Sequence, residues 1–101
     1  MRIAICDDNE IQIDIFMHRI NNFLKRNGDI KALITPYDKG QPLIDDVADG
    51  EWYDIVVLDI VLREENGIEV AKELRSSGYN GNIIFWTAHK EYVFEALDIL
   101  P

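Results

Sequence analysis

Apolar positions in this chain fall into short continuous runs, separated by stretches in which they recur every three or four residues. The central run is Tyr53-Asp54-Ile55-Val56-Val57-Leu58-Asp59-Ile60-Val61-Leu62. It is apolar on both faces, as a strand covered by helices on either side must be. Arg2-Ile3-Ala4-Ile5-Cys6, Ala32-Leu33-Ile34-Thr35 and Asn82-Ile83-Ile84-Phe85-Trp86 read as further strands. Pro36 closes the second of these and suits an edge position, because proline cannot donate to a ladder. Between the first two strands, Ile13, Phe16, Met17, Ile20, Phe23 and Leu24 form one apolar stripe at helical spacing. Asn9 with Gln12 resembles a capping box at its start, and Asn27-Gly28 is a stop. Asp38 is expected to cap a shorter helix with Pro42 in its first turn, with Leu43, Ile44 and Val47 facing inward and Asp49-Gly50 ending it. Asn66 with Glu69 repeats the capping pattern ahead of Val70, Ala71 and Leu74. Ser77-Gly78 closes that helix, and Asn80-Gly81 marks a turn. Tyr92, Val93, Ala96, Leu97 and Leu100 give a last amphipathic helix. The order β-α-β-α-β-α-β-α predicts an α/β fold, a doubly wound parallel sheet with right-handed crossovers.

Composition narrows the function classes. With 101 residues the chain is one domain, near the small end for three layers. A net charge of -9 makes the domain itself a poor binder of nucleic acid or anionic membrane. The single cysteine, Cys6, reads as a small buried residue in a reducing compartment. No signal-peptide pattern and no apolar run of spanning length is visible, so the expected location is cytoplasmic. Asp45, Asp46 and Asp49 read as a solvated acidic face, and His18 as an inert solvent-facing residue off the first helix's stripe.

The candidate chemistry sits where strands end. The first strand runs into Asp7-Asp8-Asn9-Glu10, the third carries Asp59, and the fourth runs into Thr87-Ala88-His89. In an open parallel sheet, strand ends deliver side chains to a common crevice. If the first and third strands are neighbours, Asp7, Asp8 and Asp59 converge there. Three packed carboxylates raise one another's pKa unless a cation is bound, and hard oxygen ligands suit Mg²⁺. The plainer readings are a solvent-facing or turn-capping Asp59 and an acidic helix N-terminus at Asp7-Asp8. Thr87 taken alone is an ordinary strand terminus.

These residues resemble the receiver domain of two-component response regulators. The resemblance rests on Asp7-Asp8 after the first strand, Asp59 closing the third, Thr87-Ala88 closing the fourth, and Leu62 with Asn66-Gly67 at the family's spacing. It implies a flavodoxin-like fold, here with four strands in the order 2-1-3-4. It makes Asp59 the phosphoryl acceptor, served by a sensor histidine kinase or a small phosphodonor. It implies Mg²⁺ held by Asp8 and Asp59 directly, by Asp7 through water and by the Val61 carbonyl. Thr87 and the Ala88 amide would bind phosphoryl oxygens and switch the last helix, and Val61 and His89 would tune the lifetime of the acyl phosphate. On this reading the chain is a signalling domain and no enzyme beyond its own phosphorylation and dephosphorylation. His89-Lys90-Glu91-Tyr92 and Glu95-Ala96-Leu97 resemble receivers attached to LytTR-type DNA-binding domains, so DNA would be met by an output domain outside this chain.

Two departures from the family qualify the resemblance. Arg63 stands where the family usually has proline four residues after the acceptor, which is expected to loosen that loop. The family's fifth βα unit, with the lysine that pairs with the phosphoryl group, has no counterpart. The expectation is therefore a receiver truncated before its fifth strand, self-associating through the fourth-strand edge and the first helix. Two other functions remain open. One is a degenerate receiver acting as a phosphorylation-independent interaction module. The other is a haloacid dehalogenase-type phosphatase, which Asn9, breaking that family's Asp-x-Asp pattern, argues against.

Overall fold

The computed structural model describes residues 1–86, and over that span the two central strands feed two helix layers at once. The elements are β1 (Arg2–Cys6), α1 (Glu10–Arg26), β2 (Leu33–Tyr37), α2 (Gly40–Ala48), β3 (Ile55–Leu58), α3 (Gly67–Ser76) and β4 (Asn82–Phe85). The strands form one parallel sheet in the order β2-β1-β3-β4, as expected. Side chains alternate along each strand. Ala4 and Cys6 of β1 and Val56 and Leu58 of β3 enter the core that Leu43 and Ile44 of α2 and Val70, Ala71 and Leu74 of α3 complete. Ile3, Ile5 and Val57 face the other way, against Ile13, Phe16, Met17 and Ile20 of α1. Apolar residues at successive strand positions are thus required by two cores rather than one. The last amphipathic helix of the sequence reading lies outside the described residues. None of the described helices is long and apolar enough to cross a membrane.

Helix starts follow the sequence where the cap is local. The Asn9 side chain accepts from the Ile11 and Gln12 amides at 3.0 and 3.2 Å, and that of Asn66 accepts from the Ile68 amide at 2.8 Å. Glu69 does not reach back to complete a box; it pairs with Lys72 at 3.3 Å.

The start of α2 corrects the reading of Asp38. Lys39 occupies the cap position and supplies no side-chain hydrogen bond. The acceptor comes instead from Glu65, whose Oε1 takes the Gly40 amide at 2.7 Å. Gly40 itself abuts α3 so closely that an added Cβ would collide with Val70.

Two further differences lie in β2 and α1. β2 extends through Pro36, on the edge strand as expected, to Tyr37, which points into the α2 and α3 core. Its hydroxyl donates to Asp46 at 2.6 Å and lies 2.6 Å from the Tyr53 hydroxyl. Asp46 therefore belongs to a part-buried network and not to a solvated face. In α1, Phe23 is 53% exposed although it lies on the predicted stripe. It edges a groove with Phe16, Ile20 and Trp86, and Phe16 meets Trp86 edge-on at 5.2 Å.

Candidate acidic site at the ends of the first and third strands

The connection from β1 goes outward to β2 and then crosses back to β3 on β1's other side. Loops leaving β1 and β3 at their carboxyl ends consequently diverge, and a crevice opens between them. The ladder continues one step past the strands: the Asp59 amide donates to the Cys6 carbonyl at 3.0 Å, and the Asp7 amide to Tyr37 O at 3.0 Å. These bonds fix Asp7, Asp8 and Asp59 side by side. One carboxylate oxygen from each lies within 4.8 Å of the others.

The three carboxylates differ in setting. Asp7 is buried, with 4% exposure, whereas Asp8 and Asp59 are half-buried. Burial holds the Asp7 carboxyl above the usual carboxylate range. The Asn9 amide, donating to Oδ1 at 2.9 Å, opposes that rise, and the Asp8 charge adds to it. Cys6, beneath them, is fully buried, and burial pushes its thiol up to about 12, so at neutral pH it is a protonated core residue and no nucleophile. A buried carboxylate beside two others is a set of hard oxygen donors in want of positive charge, and these residues fit a divalent cation of the Mg²⁺ kind.

The turn after Asp59 is tied at several points. Val61 donates its amide to Asp59 Oδ1 at 3.2 Å, and bridges to Asn66. The Leu62 amide reaches the Glu65 carbonyl at 3.1 Å, and the Gly67 amide the Ile60 carbonyl at 2.7 Å. Leu62 is buried in the core. Gly67 lies so close to Asp59 that an added Cβ would collide with its carbonyl oxygen. Glycine at 67 is what allows α3 to start directly behind the acidic group. These bonds close the loop on both sides of Arg63, which stands where the family usually has proline.

Arg63 and Glu65 are the residues near the site whose targets the sequence did not disclose. The Arg63 Nε lies 3.9 Å from Asp8 Oδ2, and Glu65 ties the turn to α2. Asp8, Asp38, Lys39, Leu62, Arg63 and Glu65 help line a pocket of about 370 Å³ beside the cluster. The charged run Arg63-Glu64-Glu65 marks these residues as polar, but only the fold says which partner each one meets. Of the site residues expected from sequence, Asp7, Asp8 and Asp59 come together with Val61 beside them. Thr87, Ala88 and His89 lie outside the described residues.

Comparison with known proteins agrees with this geometry. The profile of the response regulator receiver domain matches residues 3–99. The chain belongs to the response regulator receiver family. Receiver domains are signalling modules of two-component systems, they work with sensor histidine kinases, and they bind Mg²⁺ at an aspartate cluster.

Among curated relatives, the sensory transduction protein LytT of Bacillus subtilis is 28% identical over 99 residues, covering 98% of this chain and 39% of LytT. The transcriptional regulatory protein LytR of Staphylococcus aureus is 40% identical over 47 residues, 46% of this chain and 19% of LytR. This receiver therefore spans well under half the length of either relative. A CheY-like receiver from Methylobacillus flagellatus superposes with a TM-score of 0.81 at 15% identity, over 100% of this chain and 81% of that one. Thermotoga maritima TrrA, solved with Mg²⁺ and a beryllium fluoride group, gives 0.68 at 30% identity, over 92% and 74%.

Proposed function

We propose that Asp59 accepts a phosphoryl group and that the Asp7–Asp8–Asp59 cluster binds the Mg²⁺ this transfer needs. The observation that carries the proposal is the meeting of three carboxylates within 4.8 Å at the ends of adjacent strands. Asp8 and Asp59 would ligate directly, Asp7 through a water, and the Val61 carbonyl would complete the protein's share. Bound there, the cation neutralises charge between the acceptor and the incoming phosphoryl group. A carboxylate oxygen of Asp59 attacks phosphorus as the donor's P–N bond breaks, and the histidine nitrogen leaves with the bonding pair. The Val61 amide on Asp59 Oδ1 and the bond from the Asp59 amide to Cys6 hold the acceptor in place.

Thr87 and the Ala88 amide would bind the phosphoryl oxygens, and Val61 and His89 would set how long the acyl phosphate lasts. The phosphodonor is a phosphohistidine on a sensor histidine kinase, which implies a cytoplasmic site of action. The names of the LytR and LytT relatives support a transcriptional output, exerted by a DNA-binding domain outside this chain. Self-association would use the β4 edge and α1, where Ile84, Phe23, Ile11 and Ile15 are exposed.

The test is incubation with acetyl phosphate, with and without Mg²⁺, followed by intact mass. One added phosphoryl group is expected for the wild-type chain with Mg²⁺, and none for Asp59→Asn. Undiminished labelling of Asp59→Asn would remove the assignment.

A further inference from the structure

Any cation entering the acidic cluster meets a cation already tethered beside it. Arg63 stands at the tip of the turn that follows Asp59, with its Nε 3.9 Å from Asp8 Oδ2. The turn presents it there by construction. Val61 bridges to Asn66, the Leu62 amide bonds the Glu65 carbonyl, and the buried Leu62 side chain anchors the base. Glu65 is in turn fixed by the Gly40 amide. With both sides of the tip held, the backbone places Arg63 within reach of Asp8, and its side chain remains 80% exposed.

We propose that Arg63 is a built-in competitor for the metal site: it offsets the charge of Asp8 when no divalent cation is bound, and it must give up Asp8 for the cation to ligate there. The inference rests on the reading of the cluster as a Mg²⁺ site and adds what sets its affinity. Breaking the pair on binding appears as weaker metal binding, by the free energy of the pair itself. The pocket that Arg63 lines also holds the carboxylates of Asp38 and Glu64, which can receive the displaced guanidinium. Because transfer to Asp59 needs the cation, Arg63 sets the Mg²⁺ concentration at which the acceptor becomes competent. Exposed ion pairs are weak, and this one corresponds to about a two- to five-fold change in affinity.

Isothermal titration with Mg²⁺ of the wild-type chain, Arg63→Ala and Lys39→Ala separates the possibilities. Lys39 lines the same pocket and carries the same charge, so its removal reports the effect of net charge alone. Arg63→Ala is expected to bind Mg²⁺ about two- to five-fold more tightly, Lys39→Ala to gain less, and the Arg63 difference to shrink as salt screens the pair. An unchanged affinity in Arg63→Ala, or equal gains in the two variants, would overturn the inference and leave the Mg²⁺ site standing. Absence of Mg²⁺ binding in the wild-type chain would remove both.

Discussion

Asp7 carries the electrostatic tension of the site in a single side chain. It is buried beside Asp8, and burial lifts its pKa above the ordinary value of 3.8. A group whose folded-state pKa lies above its unfolded value takes up a proton on folding within the window between the two. Its contribution therefore favours the folded state at low pH and is lost as pH rises through the folded pKa. Metal-free protein in chelator is expected to lose stability as pH rises across that window. Asp7→Asn should flatten the loss and be more stable than wild type at neutral pH in denaturant melts. Added Mg²⁺ should then stabilise the wild-type chain more than the variant. A variant less stable than wild type at neutral pH, with the pH slope intact, would mean that Asp7 is held by compensating contacts rather than by a missing cation.

At the scale of elements, the turn between β3 and α3 joins the site to α2 through one bond, from the Gly40 amide to Glu65. Glu65→Ala leaves the first amide of α2 without its acceptor and is expected to cost about 1 kcal/mol. Glu65→Gln, which keeps an acceptor oxygen, should recover much of it. Equal stability of all three chains in urea would show that solvent replaces the bond.

The same bond marks the boundary of what the sequence discloses. Caps at Asn9 and Asn66 were legible because donor and acceptor lie two or three residues apart. The cap of α2 was not, because its acceptor lies 25 residues away, and Asp38 was the local candidate. Asp46 was misplaced for the same reason: its partner Tyr37 lies on a strand that runs past Pro36. The alternation of runs and stripes carried the sheet and the order of elements, and the strand-end aspartates carried the cluster. The destinations of Arg63 and Glu65 depend on how the turn is folded, and no local periodicity encodes them.

For the molecule as a whole, a chain with a net charge of -9 also carries exposed apolar groups, Ile11, Ile15, Phe23 and Ile84 among them. β4 borders the sheet among the described residues, and its Ile84 is 49% exposed. An unpaired edge offers backbone donors and acceptors to another chain, and a charge placed on it opposes such pairing. Light scattering after size exclusion is expected to show mass rising with concentration in the wild-type chain, and a lower mass for Ile84→Lys. Equal masses at every concentration would set the edge aside as an interface.

The central claim is that acceptor and metal site are one site. The measurement that tests it most directly is the rate of acetyl phosphate labelling followed by intact mass across a Mg²⁺ series, set against the Mg²⁺ binding isotherm of the same protein. The account predicts that labelling rises with occupancy of the metal site, half-saturating where binding does, and that both fall in Asp8→Asn. Labelling at full rate in chelator, or a rate that ignores metal occupancy, would contradict it.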